Sequence, residues 1–365
     1  MSVPTAVLFF REGAQLSPAM AETLRRELAQ DRLALTGVSA ARREDVPSLP
    51  WELPFIPAEM LSGTEAELVF LLEDRRRAAG SVDTGKDRLK RMLPPFALRA
   101  ARRVSSALLG RRNLQRWEGY DGWGKPLPPP EEDGGRGYAP LGQYAVPGEK
   151  TAPGRVLEVP GFRTEEYLRL RREGVSFVSD NCWGGLMYNT LGMEMQSPFI
   201  NMFIRREHFY RLLGNLSYYM AQPLVPLRPR QGTLGADVYP IAALGDVEIH
   251  LNHVHSPVEL EDYARQWYRR AARFRPDRVM VQTCFENAEE WEQYRDAFAA
   301  VAWSKIGFAP FPVEEEDVVY LPEAGEFKDG VGECARALAK NDLPVPYDFL
   351  DTYLTGKLCP PIGEN

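Results

Sequence analysis

The chain has 365 residues, 44% hydrophobic and 26% charged, the balance of a soluble globular protein long enough for two domains. Its formal net charge of -7 argues against general nucleic-acid binding, and no apolar run approaches the roughly 20 residues that span a bilayer. Four widely spaced cysteines, Cys182, Cys284, Cys334 and Cys359, lack C-x-x-C spacing, which argues for reduced thiols in the cytoplasm over a disulfide framework or structural zinc. The opening Met1-Ser2-Val3-Pro4 has no basic or long apolar stretch, so no signal peptide is expected.

Residues 1–80 read as a small α/β domain. Thr5 to Phe10 is a buried strand. Ser17-Pro18 supplies an N-cap and a proline at the first helical position, opening a helix to about Gln30. Leu33 to Val38 and Glu67 to Leu72 are further strands. The turn Arg11-Glu12-Gly13-Ala14 holds one glycine, so it is no dinucleotide fingerprint.

Residues 81–117 form a basic segment. Between Lys86 and Arg116, ten Lys and Arg face the single acid Asp87, with Leu89, Leu93, Phe96, Val104, Leu108 and Leu109 interspersed. Two readings stand: a solvated helix pair, or peripheral docking of 86–116 to anionic lipid headgroups. Residues 118–161, with Pro128-Pro129-Pro130 and Gly134-Gly135, read as an exposed linker or covering loop.

The second domain spans 162–322. Thr164 caps a helix to Glu173, and an apolar strand then leads into Cys182. Glu207 to Ala221 reads as one helix, and Tyr239 to Leu244 and Val247 to Val254 as adjacent strands. Ser256-Pro257-Val258-Glu259 is a capping box opening a helix to Phe274. Arg278 to Cys284 is a strand, Asn287 with Glu290 caps the next helix, and Ser304 to Phe308 returns as a strand. Residues 323–365 add one or two short helices. These patterns predict a three-layer α/β/α fold with a mostly parallel or mixed sheet, preceded by the small N-terminal α/β domain.

Two segments look shaped for chemistry. In Ser179-Asp180-Asn181-Cys182-Trp183-Gly184-Gly185 a cysteine opens a helix, where the macrodipole favours a thiolate nucleophile, and paired glycines allow close approach of substrate. In Asp246-Val247-Glu248-Ile249-His250-Leu251-Asn252-His253, strand alternation turns Asp246, Glu248, His250 and Asn252 one way, until His253 breaks the pattern. This face has three readings: a catalytic site with Cys182 as nucleophile, His250 as base and Asp246 or Asn252 as orienter; a metal site of Asp246, Glu248 and His250; or a solvated strand. No cofactor is specified. Asn181, Trp183, Gly184, Gly185, Tyr188 and His253 are expected to bind a carbohydrate, with Arg205 on a phosphate if the substrate is a sugar phosphate.

These blocks, with Ser197-Pro198-Phe199 and Trp267-Tyr268-Arg269-Arg270, resemble the bacterial domain of unknown function 1919 over roughly residues 165 to 310. The chain departs from that family's motif at Asp180, where Asn is usual. Members are often labelled exopolysaccharide or capsule biosynthesis proteins. The resemblance implies a three-layer α/β fold and a place in surface polysaccharide biosynthesis, with no established reaction. The expected function is therefore an accessory enzyme acting on a sugar-containing substrate by group transfer or hydrolysis. Two alternatives are a non-catalytic glycan-binding or assembly protein at the inner membrane face, and a metal-dependent hydrolase or glycosyltransferase.

Overall fold

Two strands of the first parallel sheet, Thr5–Phe10 and Leu68–Leu72, form where the sequence is apolar without alternation, as expected of strands covered on both faces. Strands β1 (Thr5–Phe10), β2 (Ala34–Ala40), β3 (Phe55–Pro57) and β4 (Leu68–Leu72) lie in the order β3-β2-β1-β4, every neighbour parallel. Helix α1 (Pro18–Ala29) crosses from β1 to β2, and Ser17 caps it by accepting from the Met20 N–H. The structure, a computed structural model, describes residues 3–63, 65–72, 113–129, 156–159, 161–231 and 238–361. The basic stretch from Lys86 to Arg112, and the lipid contact read from it, lie outside the described residues.

A second parallel sheet has the order β11-β10-β9-β5. It is built from β5 (Ser176–Ser179), β9 (Val279–Cys284), β10 (Ser304–Ala309) and β11 (Val318–Tyr320). Helices α2 (Thr164–Glu173), α3 (Trp183–Leu191), α6 (Pro257–Ala271) and α7 (Ala288–Ala299) alternate with these strands, and α8 (Gly330–Ala339) and α9 (Phe349–Thr355) follow them. The protein is α/β, with parallel and antiparallel pairing in separate sheets. Strands β6 (Leu224–Gln231), β7 (Val238–Leu244) and β8 (Val247–His250) form an antiparallel sheet of their own.

Two expectations change. Strand β8 ends at His250 rather than Val254, because the chain turns there and the Val254 N–H donates to Leu251 O at 3.0 Å. The single helix expected from Glu207 to Ala221 is two, α4 (Arg206–Gly214) and α5 (Leu216–Met220), separated at Asn215, whose φ of -153° and ψ of 59° are not helical. Among residues 118–161, Gly124 and Leu127 donate N–H bonds to Pro226 O and Leu224 O on β6. Trp117, Tyr120 and Trp123 close an aromatic cluster over that edge, so this part packs against the domain instead of standing off as an exposed linker. Among the described residues no helix is long and apolar enough to cross a membrane.

One core joins the two parallel sheets. Leu8, Phe10 and Phe70 of the first pack with Phe162, Tyr167, Phe177 and Trp183 of the second part, and Phe70 meets Phe162 edge-on at 6.1 Å. At the centre of the joint is a carboxylate. Glu27 of α1, fully buried, accepts from both the N–H and the hydroxyl of Thr164 at 2.9 Å each. Thr164 is thus the first helical residue of α2, capped by a side chain 137 positions earlier, and not itself the cap. Arg26 and Arg32 balance the buried charge at 3.4 and 3.0 Å. A buried carboxylate is tolerated only when it is paired and hydrogen-bonded in this way. Removing it leaves the Thr164 N–H and hydroxyl without their acceptor and takes the counter-charge from Arg26 and Arg32. Glu27→Ala is expected to cost about 3 kcal/mol in equilibrium denaturation. A loss below about 1 kcal/mol would mean that this joint is not fastened by Glu27.

Candidate functional site

Helix α3 begins just past β5 because two polar side chains before it satisfy its first N–H groups. Asn181 Oδ1 accepts from Trp183 N at 2.8 Å, and Ser179 Oγ accepts from Gly184 N at 3.2 Å. Cys182 occupies the cap position without spending its own side chain on the cap. The glycines serve packing instead of substrate. A Cβ on Gly184 would lie 3.0 Å from Phe177 Cβ, and one on Gly185 would lie 3.1 Å from Ile200 Cγ2, so α3 rests directly on β5 and the Ile200 segment. Trp183 and Tyr188, expected to contact sugar, are fully buried. Trp183 packs edge-on to Phe177, and the Tyr188 hydroxyl donates to Val175 O and accepts from Phe177 N.

The thiol of Cys182 meets a histidine, and it is His253. Sγ stands 3.3 Å from His253 Nε2 and 3.9 Å from Met202 O. His250, expected as the base, is elsewhere. The arrangement follows from a short strap: Ile204 N donates to Asp180 O at 2.9 Å, while Phe203 and His250 exchange both backbone bonds. The end of β5 and the end of β8 are thereby held side by side, and the turn after His250 swings His253 back toward the thiol. Burial pushes the Cys182 thiol up from its ordinary value, against a smaller downward pull from Arg336 of α8 and Lys340 just past its end. Partial burial, helped by His255, lowers His253. Desolvation thus outweighs these two cations, and burial biases both partners toward their neutral forms, thiol and imidazole. The Tyr263 hydroxyl, electrostatically coupled to Cys182, is buried with no hydrogen-bond partner. All four cysteines are free.

Beneath this pair lies an ion pair that sequence reasoning passed over. Asp180, 7% exposed, accepts from Arg206 Nη1 at 2.8 Å, Thr283 Oγ1 at 2.7 Å and Asn181 Nδ2 at 2.9 Å. Arg206 also hydrogen-bonds Thr283, reaches Glu290 at 3.2 Å and covers the Phe285 ring at 5.4 Å. Burial pushes the Asp180 carboxyl up while Arg206 and Thr283 pull it back. Asn181 is gripped between Asp180 and Cys284 Sγ, which fixes the turn that presents Cys182. Arg205, the residue expected on a phosphate, is exposed at the start of α4, and it is Arg206 that enters this cluster. The signal for it was a polar dipeptide closing one parallel strand, with polar residues closing its neighbour, the place where open α/β sheets carry their sites.

The expected polar row dissolves. Asp246 sits in the turn before β8, where Tyr219 donates to Oδ1 at 2.8 Å and Arg211 pairs with Oδ2 at 3.2 Å. These bonds, the Tyr219 hydroxyl foremost, hold its carboxyl below the usual range and leave it no role as orienter of the thiol pair. Asp246 and His250 do not converge with Glu248, and among the described residues no three His, Cys, Asp or Glu side chains are grouped for a metal. His250 is fully buried, stacked on Phe203 at 4.3 Å and 15°, and neither ring nitrogen has a hydrogen-bond partner.

A family model described as Domain of unknown function (DUF1919) matches residues 154–347, more than half of the chain. The chain belongs to the DUF1919 family. The match extends beyond the motif blocks at both ends and takes in Cys182, His253, Arg206, Arg336 and Lys340; the N-terminal sheet of this DUF1919 protein lies outside it. An uncharacterized protein of Haemophilus influenzae is 30% identical over 113 residues, 31% of this chain and 50% of that relative. The chain therefore matches about half the length of that relative.

The buried His250 has a consequence for stability. Burial first, then Arg230, Arg205 and His208, lower it from 6.5 to about 4. The fold thus favours the neutral ring. Its contribution is complete above the unfolded value of 6.5 and is lost as pH falls toward 4, because the unfolded chain takes up the proton first. Between about pH 7 and pH 4, wild type should lose about 3 kcal/mol more stability than His250→Phe, measured by urea denaturation. Equal losses in both proteins would contradict the assignment.

Proposed function

We propose that this DUF1919 protein is an accessory enzyme of cell-surface polysaccharide biosynthesis, working in the cytoplasm, that transfers or hydrolyses an acyl group on a sugar-containing substrate. Cys182 is the nucleophile and His253 its base. The 3.3 Å approach of Sγ to Nε2 carries the reading, since a weak nucleophile is activated by a base within hydrogen-bond reach. The polysaccharide setting rests on the motif resemblance.

The neutral state of both groups suits general-base catalysis. His253 Nε2 takes the thiol proton as Sγ bonds to the acyl carbon. The bond from that carbon to the leaving oxygen then breaks, and His253 returns the proton to that oxygen. Water, or a sugar hydroxyl, next gives its proton to His253 and attacks the thioester, releasing Sγ, which recovers the proton. The Asp180–Arg206 pair supports this by holding Asn181, and with it the turn that aims the thiol.

The test uses p-nitrophenyl acetate and peptide mapping by mass spectrometry. Wild type is expected to acquire an acetyl group on Cys182, and Cys182→Ala to acquire none there while losing p-nitrophenol release. His253→Ala should slow acetylation by roughly a hundredfold, and His250→Phe should not. In cells that make the polysaccharide, Cys182→Ala should reduce its output. Unchanged acetylation in His253→Ala, or unchanged output in Cys182→Ala, would defeat the proposal.

A further inference from the structure

The antiparallel sheet has a second face that the thiol chemistry does not use. Register fixes one row across it: Arg228 of β6 opposes Ile241 of β7, Ile241 opposes His250 of β8, and His250 opposes Phe203. In the adjoining row Arg230 opposes Tyr239. Directly opposed residues in antiparallel pairs share a face, as do residues two apart along a strand. Arg205 follows Phe203 by two positions, in extended backbone of φ -66° and ψ 146°. Three arginines and three rings are thus brought to one surface, from three chain segments.

The rings form a platform. Phe203 and His250 stack, and Tyr239 stands edge-on to both, with centroids 6.1 Å away in each case. Two features of this platform are incomplete. Arg205, Arg228 and Arg230 make no ion pair among the described residues, although Glu248 shares the face one row away, opposite Ala243. His250 is fully buried with both ring nitrogens unpartnered, whereas buried polar atoms as a rule find a partner. Arg230 and Arg205 lie close enough to act on His250 electrostatically. Unpaired guanidinium groups around an uncharged aromatic floor attract a multiply charged anion, and their planar forks match phosphate oxygens.

We propose that this face binds the phosphate of a sugar phosphate, with Arg205 and Arg230 holding the phosphate oxygens, Arg228 adding charge at the rim, and the half-buried Phe203 ring, backed by the buried His250 and Tyr239, lying under the sugar ring. A free sugar 1-phosphate and a sugar phosphate carried on a lipid share this chemistry. The site stands whether or not Cys182 reacts, because none of its residues takes part in that step.

Isothermal titration calorimetry on the full chain tests it with glucose 1-phosphate, glucose and detergent-solubilised polyprenyl-phosphate glucose. Glucose 1-phosphate should bind at least about tenfold more tightly than glucose, and Arg205→Ala and Arg230→Ala should each weaken it by about tenfold or more. Arg205→Lys and Arg230→Lys, which keep the charge, should fall between. Tighter binding of the lipid-carried probe identifies that source, and equal binding identifies the free sugar phosphate. Equal affinities for glucose and glucose 1-phosphate, affinity indifferent to both alanine variants, or no binding of any probe at millimolar concentration would overturn the proposal.

Discussion

Two residues of extended chain, Phe203 and Ile204, fasten the antiparallel sheet to the parallel one. Ile204 donates its N–H to Asp180 O at 2.9 Å, and Phe203 exchanges bonds of 3.0 and 2.9 Å with His250. Ile204 and the two residues that the strap bonds, Asp180 and His250, are buried, so these bonds are costly to leave unmade. Because of them the carboxyl end of β5 and the end of β8 cannot separate, and the turn from Leu251 to Val254 delivers His253 to the thiol. The same two residues divide the chemistry. The Met202 carbonyl, next along, faces Cys182, and the Phe203 ring lies on the cationic face.

Electrostatics then decide what each part can do. Arg336 and Lys340 favour a thiolate at Cys182, yet burial outweighs them and biases the group toward the protonated thiol. A base that is itself kept neutral by burial is the complement such a thiol requires. Asp180 and Arg206 spend their charges on each other and on Thr283, Asn181 and Glu290. Their part is to hold the turn rigid, since a buried pair of this kind contributes geometry more dependably than stability.

Much of the fold was legible because its signals are local. Ser17, Ser256 and Asn287 cap helices where the sequence says they do, each accepting from a backbone N–H three residues on. Strands β1 and β4 announce themselves as apolar runs. The site was legible in its parts and misread in its pairing. Extending β8 through Val254 put His253 on the face opposite His250 by strand parity, but the strand stops at His250, and parity means nothing beyond a turn. His253, the residue that broke the alternation, is the one that reaches the thiol. Gly184, Gly185 and Trp183 were read as shaped for substrate, because a need for close approach looks the same whether a ligand or a strand lies underneath. Arg206 and Glu27 could not be found from local pattern, and Asp180 showed only as half of the polar dipeptide that closes β5. Arg206 lies 26 positions from Asp180 and Thr164 lies 137 from Glu27, and only the packing of β5 beside β9, or of α1 beside α2, makes Asp180 and Glu27 buried charges.

The central claim is that His253 acts as a base on a protonated Cys182. The most direct measurement is the pH dependence of iodoacetamide alkylation at Cys182, followed by peptide mass spectrometry in wild type and in His253→Ala. A general base accelerates a protonated thiol and gains nothing once the thiolate forms unaided. Alkylation is therefore expected to be about tenfold or more faster in wild type near neutral pH, with the two proteins converging in strong base. Coincident profiles across the whole range would mean that the 3.3 Å contact is packing, and that His253 does not serve Cys182.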